Sequence, residues 1–263
     1  MAHSRTSRPV PHPLHCATVP RRARRYALGA LLALAALSAA FPRPAQAHPH
    51  AFVDAAVQVV FDDKGLAGFR QSWELDPMVT ASVFDLIGKR DDAPLTPAEI
   101  SALEKQSMIH LKEYNYFNVI RIDGKPFVPD WATQFSASLK DRKVTYSFLV
   151  PCHVAATAKP KTVQLAIYDD TFYTYVAYRT EGSGPSLDPS KDPLFANPDA
   201  PARPEDFARF SKAVGATGYT GAVPLAGPVG RFKIAAAVKK DPSMAYFYDQ
   251  IVPEAFRVTF SAK

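Results

Sequence analysis

Residues 48–75 read HPHAFVDAAVQVVFDDKGLAGFRQSWEL, and their alternation decides the fold class. Val53, Ala55, Val57, Val59 and Phe61 share one face of an extended segment, because successive strand side chains point to opposite sides. Asp62-Asp63-Lys64-Gly65 reads as a turn, and Phe69, Gln71, Trp73 and Leu75 repeat the pattern on the return. The stretch is therefore a β-hairpin with one core-facing side.

Beyond the hairpin, Asp76-Pro77 supplies an N-cap with proline in the first helical position, and Gly88 supplies a stop, so a short helix is expected over 78–87. Thr96-Pro97-Ala98-Glu99 is a capping box that opens a second helix running to about Tyr114. Leu103, Ser107, His110 and Tyr114 fall on one stripe of it, broadened by Ile100 and Leu111; on that stripe His110 is expected to be buried or partly buried. Strands resume at 118–122, with Asp123-Gly124 as a hairpin turn. They continue at 135–139, at 144–150 across Asp141-Arg142, at 163–167 and in the aromatic-rich stretch 172–178. Residues 182–230 hold eight prolines and seven glycines, a density that reads as a loop-rich excursion with one short helical candidate at 204–214. Residues 231–238 and 255–260 are closing strands. The expected fold is α+β, mainly antiparallel β: a single sandwich-like domain over 48–263 with a helical insertion at about 76–115.

Working toward the amino terminus, Arg21, Arg22, Arg24 and Arg25 precede an apolar run over 26–40, and Ala45-Gln46-Ala47 has the small-x-small form of a signal-peptidase site. The run is 15 residues long, short of the roughly 20 needed to span a bilayer as a helix. Residues 1–47 are thus expected to be a signal peptide, and the mature chain to start at His48 in the periplasm. No cysteine of lipobox type precedes the cleavage point, so no lipid anchor is expected. The leader carries seven arginines and no acid; taking these seven from 31 basic residues leaves 24 against 25 acids. The basic balance therefore belongs to the leader, which excludes a basic nucleic-acid binder. Cys152 is the one cysteine beyond the leader, which excludes a disulfide framework or a cysteine-rich zinc site.

Cleavage after Ala47 would expose His48-Pro49-His50. A terminal histidine offers its α-amine and ring Nδ1 to one ion, and His50, two residues on, places a second imidazole on the same face roughly 6.5 Å away. Such donors suit Zn, Cu, Ni or Co rather than Ca or Mg. Pro49 has no amide proton to lose, which blocks a square-planar site using that nitrogen and leaves a brace of one amine and two imidazoles. Asp169, in the Tyr168-Asp169-Asp170-Thr171 turn, is a candidate to complete the set; its alternative role is to cap that turn. Asp54 lies about 13 Å along the strand from His50, too far for the same ion, and serves as an orienting or structural acid. Cys152 and His153, as neighbours in a strand, face opposite ways and do not share a metal. Residues 88–99 have the outline of an EF-hand loop ending in Glu99. However, Gly88, Arg90 and Ala93 stand where Asp, Asp and Gly are required, so no calcium site is expected. No Gly-x-Ser-x-Gly, Walker or His-Glu-x-x-His motif occurs, and the chain is not expected to be an enzyme. A copper brace acting as an oxidase would need an open coordination position and a substrate surface.

The blocks HPHAFVDAAVQVVFDDKGL, SWELDPM, HLKEYNYFNVIRIDGK and Tyr168-Asp169-Asp170-Thr171-Phe172-Tyr173 occur in this order. In them the sequence resembles a secreted bacterial family of unknown function labelled the periplasmic component of an ABC-type transport system. The likeness covers about residues 48–178. It implies association with metals and a membrane metal transporter, since members are often encoded beside nickel/cobalt-type transporters or under zinc-responsive control. The solute-receptor label suits the expected fold poorly, because such receptors have two α/β lobes. The functional expectation is a periplasmic accessory protein that holds a transition metal at His48 and His50. The alternative is a non-metal module that docks on a membrane partner through the aromatics of 172–178.

Overall fold

Strand β1 (Ala51–Phe61) and strand β2 (Gly65–Leu75) form the expected hairpin, in register from Val53 opposite Leu75 to Val57 opposite Gln71. The Asp62 carboxylate accepts the amides of Lys64 and Gly65 at 2.7 and 3.0 Å and closes the turn. In this computed structural model residues 50–179 and 222–263 are described. The expected signal peptide 1–47, His48, the helical candidate at 204–214 and residues 182–221 of the expected excursion lie outside them.

Both helices sit where their caps place them. Helix α1 (Pro77–Ile87) starts at Asp76, whose carboxylate accepts the amides of Met78 and Val79, and stops at Gly88 in the left-handed region. Helix α2 (Pro97–Glu113) has the complete Thr96/Glu99 capping box. It buries Leu103 and Met108, with Ile100 and Leu111 packed beside them. His110 is exposed, which corrects the stripe: the apolar face centres on Ile100, Ser107 and Leu111, and His110 lies at its edge.

The strands that follow are β3 (Asn118–Ile122), β4 (Lys125–Phe127), β5 (Thr133–Lys140), β6 (Lys143–Ala155), β7 (Lys161–Ile167) and β8 (Thr174–Tyr178). The last three are β9 (Leu225–Ala226), β10 (Phe232–Lys240) and β11 (Glu254–Ala262). One sheet runs β5-β6-β2-β1-β8, with β9 also on β1; the other runs β10-β11-β7-β3-β4. Two parallel pairings, β8 and β9 on the same edge of β1, break the otherwise antiparallel pattern. Alternation fixes which face is buried but not the direction of a neighbour, so these pairings could not be read from the sequence. Aromatic residues of the first sheet meet those of the second between the layers: Phe61 lies against Phe232 and Phe260, and Tyr178 against Phe256. The mainly antiparallel, sandwich-like α+β architecture is thus as expected.

One polar chain crosses this interior. Gln71, fully buried on β2, donates to Asn118 on β3 at 2.5 Å and accepts the Trp73 indole N–H at 3.0 Å; Asn118 in turn donates to the Tyr116 carbonyl. Each amide therefore has partners, as burial requires. Asn115, Tyr116 and Phe117, just before β3, all have left-handed backbone angles, which cost roughly 1–2 kcal/mol for each side-chain-bearing residue. Burial of Tyr116, and the amide of Ala132 donated to its hydroxyl at 3.0 Å, hold that turn in place.

Candidate functional site

The entry of the chain into β1 is fixed from two sides, by Tyr173 and by Asp76. The amides of His50 and Ala51 donate to the Tyr173 carbonyl at 2.8 and 3.1 Å. The amide of Phe52 donates to Asp76 at 2.7 Å, and the Asp76 amide returns a bond to the Phe52 carbonyl. Asp76 therefore does two jobs, capping α1 and pinning the first turn of backbone in β1. His50 is half-buried and precedes the strand rather than belonging to it. Its ring leans on that of Tyr173, with centroids 5.1 Å apart.

Tyr173 closes the loop 168–173, and Asp169 organises that loop. The buried Asp169 carboxylate accepts Thr171 N–H and Thr171 Oγ1–H on one oxygen, at 2.9 and 2.7 Å, and Thr174 N–H on the other at 2.9 Å. Its carbonyl accepts the Phe172 amide. These bonds are the turn-capping role weighed for this residue, and they fill most of the roughly four acceptor positions of a carboxylate. Asp169 thereby sets the position of the carbonyl that holds His50.

Asp54 pairs with Arg179 at 2.9 Å, in a largely buried position. The Arg179 amide also donates to the Ala55 carbonyl, so the ion pair fastens the end of β8 to β1. This is a structural acid. Cys152 is buried and free, and burial pushes its thiol up to about 12; His153 beside it is exposed, with a left-handed backbone at a shift in the β2–β6 register, so the regular strand alternation expected for this pair does not hold there. Among the described residues no group of three or more His, Cys, Asp or Glu is placed to hold a metal ion, and His48 lies outside them.

The aromatic stretch mostly fills core. Phe172, Tyr175 and Tyr178 are buried, and only Tyr173 is open, at 53%. Phe52, Phe172, Tyr175 and Tyr246 form a small second cluster beside the entry of β1, with Tyr168 stacked on Tyr246 at 4.1 Å. Burial raises the phenols of Tyr178 and Tyr246 far above their ordinary value. Strand alternation cannot reveal this cluster, because its rings come from three separate segments.

The loop between α1 and α2 holds a feature that the sequence pattern did not signal. Lys89 is buried, its ammonium 2.7 Å from Asp91 and 3.2 Å from Glu99. The hydrogen bond that Lys89 donates to Asp91 raises the lysine despite its burial. The same bond lowers Asp91, and Glu99 is lowered chiefly by the Thr96 amide and hydroxyl. A tethered ammonium thus gathers the two carboxylates of the EF-hand-like stretch.

Comparison with known proteins gives family membership without an activity. A family model described as protein of unknown function (DUF1007) matches residues 33–195. An uncharacterized 15.5 kDa protein in the trpE 3' region of Spirochaeta aurantia is 36% identical over 95 residues, covering 36% of this chain and 64% of the relative. An uncharacterized protein of Haemophilus influenzae is 26% identical over 146 residues, covering 52% and 66%. The chain thus spans just under two thirds of the length of these curated relatives.

Proposed function

We propose that this chain, which belongs to the DUF1007 family of proteins of unknown function, is an exported accessory protein that holds a transition metal at a processed amino terminus. His48 supplies its α-amine and imidazole and His50 a second imidazole, a donor set that suits Zn, Ni, Co or Cu. The observation that supports this most is the anchoring of His50. Its amide is held by Tyr173 and its ring rests on the same residue, so two histidines would leave the sheet from a fixed point and lose little freedom on closing around an ion. Asp169 fits a ligand role poorly, because its oxygens already accept three hydrogen bonds; it acts as the residue that positions Tyr173. The protein works in the periplasm beside a membrane metal transporter, to which it passes the ion or for which it senses it. No catalytic step is assigned.

Native mass spectrometry of untagged protein taken from the periplasm tests this in one spectrum. The expected mass begins at His48 and carries one metal ion, lost in both His48→Ala and His50→Ala. A different amino terminus, or a protein that takes up no Zn, Ni, Co or Cu when offered them, overturns the reading.

A further inference from the structure

On the outer face of the second sheet, far along the chain from His50, an open cleft of about 380 Å³ lies between the ends of β10 and β11 and the turn Pro242–Met244. That volume falls within the range of small-molecule sites. Strand register explains its shape. Ala237, Arg257, Gln164 and Arg121 sit side by side across four strands, and Lys239 is opposite Ala255 in the next row. Ala237 and Ala255 reach no further than Cβ, so they leave a floor between long cationic side chains.

The wall is built and held. Asp241 accepts the Ser243 hydroxyl at 2.6 Å, the Ser243 amide at 3.0 Å and the buried Gln164 side-chain amide at 2.9 Å. Arg121 donates to the hydroxyl and carbonyl of Ser243 from behind, at 3.3 Å. The Ser243 hydroxyl bond chiefly holds Asp241 below the usual carboxylate range, so this acid stays charged and occupied. Arg257 and Lys239 are exposed and line the cleft, and among the described residues their side chains make no hydrogen bond or close ion pair; Arg257 acts on the Asp241 carboxylate only through its charge. Lys240 also lines it, and Glu254 lies opposite Lys240 across the ladder. The chain beyond residue 47 is close to neutral, yet this concave site gathers Arg257, Lys239 and Lys240 around the single acid Asp241, whose oxygens are already taken by Ser243 and Gln164, so it marks a place for negative charge.

We propose that this cleft binds a small oxyanion carrying at least two negative charges, gripped in the fork of Arg257 and by the Lys239 ammonium. A planar guanidinium matches two oxygens of a phosphate or carboxylate, and an ammonium adds a point charge. The site stands apart from the amino-terminal metal reading and does not depend on it.

Isothermal titration with inorganic phosphate and, separately, with citrate tests it, using the full mature chain. Binding of phosphate alone identifies a phosphate-type ligand, and binding of citrate alone a polycarboxylate; either supports the site. In the variants Arg257→Ala and Lys239→Ala the affinity is expected to fall by about tenfold or more, the size of a lost charge-assisted bond. Lys233→Ala removes a cation from the same strand two rows beyond the cleft, and is expected to leave affinity within about twofold. Thermal unfolding of each variant without ligand keeps a folding defect distinct from lost binding. Absence of binding for both anions up to roughly 10 mM, the weak end of the affinity scale, overturns the proposal. So does an equal loss in Lys233→Ala, which would mean diffuse charge attraction.

Discussion

The amide of His50 donates to the carbonyl of Tyr173 at 2.8 Å, and their rings meet with centroids 5.1 Å apart. That carbonyl is placed in turn by the bonds that Asp169 collects from Thr171 and Thr174. The carboxylate and the imidazole are therefore coupled through the loop backbone.

Asp169→Asn separates the two roles open to this acid. The amide keeps one acceptor oxygen but turns an N–H toward a backbone donor, so one buried donor loses its partner, at a cost of about 1–3 kcal/mol. Urea unfolding should show that loss, and hydrogen exchange should show faster exchange at His50 and Ala51. Metal stoichiometry should stay unchanged in native mass spectra. A variant of native stability that no longer holds metal would make Asp169 a ligand instead.

The Gln71–Asn118 bond joins the two sheets through their shared core. Asn118→Ala strands the Gln71 amide and removes the partner of the Tyr116 carbonyl, so a loss of about 2–3 kcal/mol is expected. The double variant Gln71→Leu/Asn118→Leu removes both amides and should be less destabilised than the sum of its single changes. Strictly additive losses in urea unfolding would show that the pair is not coupled.

Much of this architecture could be read from the chain. The hairpin, both helix caps and the buried faces of β1 and β2 follow from periodicities of two and 3.6 and from residues with special backbone chemistry. Partners across large sequence separations could not be read in this way. Asp76 reaching Phe52, Arg179 reaching Asp54, Lys89 joining Asp91 to Glu99, and the aromatic cluster at Phe52 all depend on which strand lies beside which. His110 shows the limit of the helical pattern itself: a stripe defined by spacing was placed about one position off its true centre. Of the candidate site, the donors His48 and His50 came from their place after Ala47, whereas the loop that holds His50 needed the fold.

Lys89 gives a prediction with a definite pH window. Depressed carboxylates such as Asp91 and Glu99 contribute stability above their unfolded values and lose it as pH falls through the folded ones, so their share fades below about pH 4. Raised Lys89 contributes in full below its unfolded value near about 10.4 and loses that share as pH climbs through the folded one. The urea midpoint of Lys89→Met should therefore lie below that of the native chain at pH 7 and at pH 9, and the gap should narrow at pH 3. A gap that is the same at all three would remove the ion-pair account.

The same loop should ignore calcium. Its ammonium already gathers the two carboxylates, and Gly88, Arg90 and Ala93 offer no side-chain oxygen where an EF-hand requires ligands or its turn glycine. Roughly 5 mM Ca²⁺ exceeds the dissociation constants of weak extracellular sites, and should leave the Tm of the native chain unmoved. A calcium-dependent rise would mean that Lys89 gives way to the ion.

Cys152 offers an independent clock for unfolding. Burial on β6 raises its thiol to about 12, so at pH 8 only about one part in 10⁴ is thiolate, and its sulfur is covered by the core as well. A thiol reagent such as DTNB should then react with native protein only as fast as the sheet opens, and at once in 6 M guanidinium, where the ordinary thiol value near about 8.5 returns. Lowering stability through Asn118→Ala should accelerate labelling in proportion to the unfolding constant, provided that reclosing outpaces the reagent. Rapid labelling of the native chain at pH 8, with no response to that substitution, would place the thiol at a locally open edge of β6 instead of in the shared core.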